Sequence, residues 1–144
     1  MSNSKSIILD DRLLIEHLLV GIEVEGELNT TSYWYYRACR AAVVGAGGHL
    51  SGPFQNLGEA HQNAAIHSLL ALPDSVGIAH PRSTVPLMAR VAERHPRLNL
   101  LNLEATAAGL CLNATLMLSE ESASGILPGV LDAEGLAWRT HKRA

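Results

Sequence analysis

Short apolar runs alternate with longer amphipathic stretches along this chain. Residues 6–9, Ser-Ile-Ile-Leu, are brief, β-branched and apolar, as a buried strand should be. Asp10 or Asp11 can cap the helix that follows, Leu13, Leu14, His17 and Leu18 share one face of it, and Gly21 ends it. Over 22–28, Ile22, Val24 and Leu28 alternate with Glu23, Glu25 and Glu27, which fits an edge strand or an extended loop. The capping cluster Asn29-Thr30-Thr31-Ser32 predicts a helix over 33–44. Residues 45–58 contain five glycines and Pro53 and predict a long loop, the one segment whose role the pattern leaves open.

A helix over 59–72, a turn at Pro73-Asp74 and a short strand over 76–79 come next. The next helix, 81–93, turns Val85, Leu87, Met88 and Val91 inward, and Pro86 leaves its start open. Residues 98–103 fit either a brief strand or a helix entry, 104–113 a helix and 115–118 a strand. Residues 126–134 fit a helix or turn interrupted by Pro128-Gly129, and 136–140 close the sheet. Strands alternating with helices predict an α/β fold, a three-layer α/β/α arrangement around a central, mostly parallel sheet. With 144 residues, no internal repeat and no linker, the expectation is one domain spanning 1–144.

Composition changes this picture little. Hydrophobic residues make up 47%, enough for a packed core. Charged residues make up only 17%, against about a quarter in a typical domain, which either a buried subunit interface or an Ala- and Leu-rich helical surface explains. The net charge of −3 exerts no global pull on nucleic acid, although a local basic strip can still bind it. Cys39 and Cys111 lack metal or disulfide spacing and read as small buried hydrophobes. No stretch reaches the roughly 18 apolar residues of a membrane span, and no long apolar leader opens the chain. A cytoplasmic, soluble protein is expected.

The chemistry lies in three acidic spots, each after an apolar run. Asp10-Asp11 follows 6–9, Glu104 follows 98–101 and Glu120-Glu121 follows 115–119. Carboxylates at the C-terminal ends of parallel strands converge on one edge of an open sheet, where a cluster of them suits Mg²⁺ or Mn²⁺. Each has a plainer role too. Asp10 and Asp11 can cap a helix, Glu104 can sit favourably at a helix N-terminus, and Glu120-Glu121 can be a solvated loop. Elsewhere, Tyr33, Trp34, Tyr35 and Tyr36 with Arg37 and Arg40 combine aromatic and cationic groups. Such a mixture stacks on unpaired bases and grips phosphates, or serves as core or a dimer face.

Ile7-Ile8-Leu9-Asp10 and the run Glu104-Ala105-Thr106-Ala107-Ala108, Asn113-Ala114, Thr115-Leu116-Met117-Leu118, Ser119-Glu120-Glu121 resemble the PIN-domain family of metal-dependent ribonucleases. Leu131-Asp132-Ala133-Glu134-Gly135-Leu136-Ala137-Trp138 resembles that family's last helix and strand. The resemblance implies a PIN-like fold and a Mg²⁺- or Mn²⁺-dependent endoribonuclease of the kind found as toxins in bacterial toxin–antitoxin pairs. On it, Asp10, Glu104 and Glu121 hold the metal and Ser119 supports them. RNA contacts fall to Tyr33, Tyr36, Arg37 and Arg40. An antitoxin-like protein and a second copy of the chain would be the partners.

The match is that of a degenerate member. Glu stands at 104 and 121 where the family has Asp, and Ser119 where it has Thr. The helix after the first βα unit carries no acid, and Arg12 stands where a small polar residue is usual. The rival expectation is therefore a catalytically inactive PIN-like module that binds RNA or protein.

Overall fold

The computed structural model describes residues 5–44 and 59–141, so the glycine-rich stretch over 45–58 lies outside the described residues. In chain order the elements are β1 (Ser6–Leu9), α1 (Asp11–Val20), β2 (Glu27–Thr30), α2 (Ser32–Val44), α3 (Glu59–Leu70) and β3 (Val76–Ile78). They continue with α4 (Pro81–Arg94), α5 (Leu100–Leu112), β4 (Thr115–Leu118), α6 (Glu120–Ala123), α7 (Leu127–Ala133) and β5 (Trp138–Thr140). The strands form one sheet in the order β3-β2-β1-β4-β5, and every pairing is parallel. Helices cover both faces, which gives the expected three-layer α/β fold.

Burial on both faces explains why the strands read as apolar runs. Ile8, Leu116 and Leu118 pack with Trp34, Ala105, Ala108, Leu127 and Leu131 in one cluster. Ile7, Leu9, Leu13 and Met117 form another, and Leu14, Ile15, Ala38, Leu69 and Val76 a third. Burying one such leucine or isoleucine contributes about 1.5–3 kcal/mol, against about 0–1 kcal/mol for an exposed ion pair. The apolar clusters therefore hold the layers together, and the polar contacts set detail.

Several local expectations shift. Residues 22–26 are not strand, and β2 runs inside the sheet between β1 and β3 rather than at an edge. The glutamates of the alternating stretch are exposed, while Ile22, Val24 and Leu28 pack beside Ile7 and Leu9. Pro86 does not displace the start of α4, because Pro81 occupies the first turn and His80 caps it, its Nδ1 accepting from Arg82 N at 3.1 Å. The ambiguity at 98–103 resolves as helix, capped by Asn99, whose Oδ1 accepts from Asn102 N at 2.9 Å. Cys39 is half-buried beside Leu69, but Cys111 is exposed rather than buried. No helix among the described residues is long and apolar enough to cross a membrane.

Gly26 sets the entry to β2. Its φ is +140°, and a Cβ there would sit 2.3 Å from the Lys5 carbonyl oxygen, the group that accepts the Glu27 N–H at 2.9 Å. Only glycine suits that backbone and that close approach. Gly26→Ala is expected to destabilise the fold by about 1–3 kcal/mol, read as a lower urea midpoint. An unchanged midpoint would mean that the turn relaxes without loss.

Between the ends of α4 and α7, Arg94 donates to both Glu134 oxygens at 2.8 Å, and His95 Nε2 lies 2.9 Å from Glu134 Oε2. The Arg94 guanidinium holds the Glu134 carboxyl below the usual carboxylate range; burial opposes this, and His95 adds to the lowering. A depressed folded-state value stabilises above the unfolded value and loses that contribution as pH falls through the folded one. Glu134→Gln is therefore expected to lower Tm at neutral pH and to flatten the acid limb of Tm against pH. Parallel acid limbs for the two proteins would remove this brace from the account.

Candidate functional site

In a sheet ordered 3-2-1-4-5 the strand order reverses between β1 and β4, and an open α/β sheet forms its crevice outside the C-terminal ends of the strands at such a point. Asp10 follows β1 and Ser119 follows β4, so both lie there. Asp10 is completely buried and caps α1, its Oδ1 accepting from Leu13 N at 2.9 Å. Its Oδ2 accepts from Ser119 N at 2.8 Å, Ser119 Oγ at 2.5 Å and Ser122 Oγ at 2.6 Å. Ser119 in turn caps α6. One carboxylate thus joins the starts of two helices on adjacent strands.

Glu104 lies in the second turn of α5, not at its start. Its Oε1 accepts from Tyr33 N at 2.8 Å and its Oε2 from Ser32 N at 3.3 Å. Thr31 Oγ1 takes Trp34 N at 3.2 Å, and Tyr35 N bonds to Thr31 O at 2.9 Å as the first helical bond. The unpaired N–H groups that open α2 are therefore all satisfied, two of them by an acid 71 and 72 residues away. No acidic residue stands in the first turn of α2 itself. Glu104 supplies the negative charge that this helix end favours. The capping role considered for it is real, but the helix it serves is α2 rather than its own.

Glu121 lies in the first turn of α6 rather than in a loop, and its Oε1 sits 3.5 Å from Arg12 Nη1. The Arg12 side chain is 7% exposed. Next to it Asp11, also buried, accepts from Arg12 N at 2.9 Å through Oδ1 and from Arg37 Nε at 2.7 Å through Oδ2. Burial, and then the charge of Asp10, raises the Asp11 carboxyl above the ordinary range, and Arg37 opposes this.

These groups border a crevice of about 300 Å³, lined by Asp11, Arg12, Arg37, Asn102, Glu121 and Ser122 with an apolar wall that includes Trp34 and Leu101. Asp10, Glu104 and Ser119 are not among its lining residues. The structure does not gather Asp10, Glu104 and Glu121 around one ion, and among the described residues no group of three or more His, Cys, Asp or Glu side chains is placed to hold a metal. Each of the three carboxylates instead faces a donor of the protein: serine hydroxyls, the N-terminus of α2, and Arg12. Ser122 completes the site without having been singled out in the sequence, and the pairing of Asp11 with Arg37 was likewise not foreseen there. The one signal for Ser122 was its position three residues after a capping serine.

Tyr33, Tyr36, Arg37 and Arg40 fall at i, i+3, i+4 and i+7 of α2 and form one exposed stripe. Tyr36 is 60% exposed and Tyr33 38%. Trp34, Ala38, Ala41 and Ala42 form the buried face.

The fold, three layers around a parallel five-stranded sheet, is PIN-like, as the sequence resemblance implied. Among solved structures, the chain is similar to VapBC-1 from nontypeable Haemophilus influenzae, with a TM-score of 0.56 and 13% identity over 94% of this chain and 97% of that one. At that identity the likeness is one of fold. No family model matches the sequence, and no curated protein matches it.

The two roles considered for Glu104 predict opposite signs. A carboxylate clustered with others for a metal repels them when no metal is bound, so its removal stabilises the metal-free protein. A carboxylate that caps α2 leaves the part-buried Ser32 and Tyr33 N–H groups without that partner when removed, at a cost of about 0.5–2 kcal/mol. Glu104→Ala in metal-free buffer is expected to lower Tm. A rise in Tm would restore the clustered-acid role.

Proposed function

We propose that this chain is a PIN-like binding module whose acidic crevice no longer serves a divalent ion, and that it binds single-stranded RNA along the outer face of α2. One observation carries this reading. Donors of the protein already take up the carboxylate oxygens a metal would need, and two arginines stand in the crevice among the remaining acids. Mg²⁺ demands near-ideal octahedral oxygen geometry, and here it would have to displace a helix N-terminus and two serines to obtain it. Asp10, Glu104, Ser119 and Glu121 do not fit that ion, and each has a structural role. The exposed tyrosines offer stacking faces for unpaired bases, and Arg37 and Arg40 on the same stripe offer phosphate contacts.

A second reading is favoured by the fold shared with VapBC-1 and by the resemblance to toxins of toxin–antitoxin pairs. On it the chain is a Mg²⁺- or Mn²⁺-dependent endoribonuclease, with Asp10, Glu104 and Glu121 as ligands, an antitoxin-like protein as partner and a second copy in a homodimer. It requires Glu104 to leave α2 and Glu121 to leave Arg12 when metal binds.

Incubation of the protein with single-stranded RNA and Mn²⁺, beside an Asp10→Asn variant, separates the two readings. Binding without cleavage is expected. Cleavage that Asp10→Asn abolishes would establish the nuclease instead. Tyr36→Ala is expected to weaken RNA binding by about 1–3 kcal/mol, and Arg40→Ala to reduce its salt dependence by about one phosphate contact. Unchanged affinity in both variants would remove α2 as the RNA face.

A further inference from the structure

The geometry points to Arg37 as an oxyanion receptor: a guanidinium aimed by buried Asp11 so that its terminal nitrogens can take a phosphate group in the crevice. The inference rests on the reading that this crevice is not a metal site, and it reverses the sign of the ion such a position would hold.

Three features support it. Asp11 is locked, since it is 4% exposed, its Oδ1 is engaged by Arg12 N, and its Oδ2 is engaged by Arg37 Nε at 2.7 Å. Arg37 spends only Nε on this contact, and its side chain remains 43% exposed. Among the described residues no other partner engages its two terminal nitrogens. A guanidinium fixed through Nε presents those nitrogens as a planar fork, the geometry that matches two oxygens of one oxyanion and loses less entropy on binding than a free side chain.

The surroundings favour phosphate. Trp34, Leu101, Ile126 and Leu127 line the crevice beside Arg37 and give the fork an apolar wall on one side. A carboxylate would fill the fork and reach no further. A tetrahedral phosphate presents additional oxygens, and the Asn102 amide lines the same space of about 300 Å³. Arg12 and Glu121 lie 3.5 Å apart, Asp11 offsets one charge of Arg37, and the buried Asp10 carboxylate stands behind Asp11 and Ser122, so the site holds no excess positive charge before the anion enters. It therefore relies on aimed donors rather than on net charge.

Titration of the whole protein with inorganic phosphate, followed by backbone amide shifts against chloride at matched ionic strength, tests this without RNA. Saturable shifts are expected at Asp11, Arg12, Arg37 and Ser122. Arg37→Lys keeps the charge but loses the fork, and Arg37→Gln loses both, so each is expected to weaken binding by about tenfold or more. Arg90→Ala, which removes an exposed charge on α4, is expected to bind as wild type does. Wild-type shifts that do not saturate, equal binding by a folded Arg37 variant, or saturation of the same amides by Mg²⁺ in place of phosphate would each overturn the inference. Phosphate binding that persists without any RNA binding would reject the proposed RNA face and leave this receptor standing.

Discussion

The buried carboxylate of Asp10 is the contact on which the C-terminal edge of the sheet depends. A carboxylate removed from water without partners costs several kcal/mol, so its burial is tolerable only where donors surround it. Leu13 N, Ser119 N and the hydroxyls of Ser119 and Ser122 supply them. Those donors come from α1 on one side and from the β4–α6 junction on the other. The contact therefore fixes where α1 and α6 begin relative to adjacent strands β1 and β4, and so where Asp11, Arg12, Glu121 and Ser122 stand. Everything lining the crevice on that side is placed by this one satisfied acid.

Charge accounting then explains the character of the crevice. A PIN-like edge rich in carboxylates would hold an excess of negative charge that calls for a cation. Here Asp11 and Glu121 are matched by Arg37 and Arg12, and Glu104 is turned toward the N-terminus of α2. The compensating cations are covalently part of the chain and need no assembly from solution. Such compensation stabilises acids at the sheet edge as a metal would, but it supplies neither an activated water nor an open coordination position.

Much of the fold could be read from the sequence, because two-faced burial writes a period into the chain. Residues 6–9 and 115–118 are recognisable as strands from their apolar runs, and both are strands in those bounds. Where hydropathy competed with capping, it left two readings open. At 98–103 the apolar run fitted a strand or a helix entry, and Asn99 with its side chain on Asn102 N makes the segment a helix start. At 22–28 alternation reflected chain packed against β1, and the strand proper began only at Glu27. The site was less accessible than the fold. The alternation of apolar runs and acids led to the expectation that Asp10, Glu104 and Glu121 meet at one edge, but it carries no information on which way a carboxylate turns. Glu104 turns to α2 because Ser32 and Tyr33 present bare N–H groups and no local acid, and that demand becomes visible only when α2 and α5 are packed together.

The same contact links the buried site to the exposed face. Glu104 is what opens α2, and α2 carries both the Trp34 wall of the crevice and the stripe of Tyr33, Tyr36, Arg37 and Arg40. Arg37 reaches back to Asp11, while Tyr36 and Arg40 face outward. An acid that a nuclease would direct to a metal instead sets the start, and so the rotation, of the helix that presents aromatic and cationic groups. Because 3.6 residues make a turn, shifting that start by one residue would rotate the stripe by about 100° and bring apolar Ala38 and Ala41 toward solvent. Holding this register is therefore worth a buried acid, and it gives a physical reason for Glu104 to stay where it is.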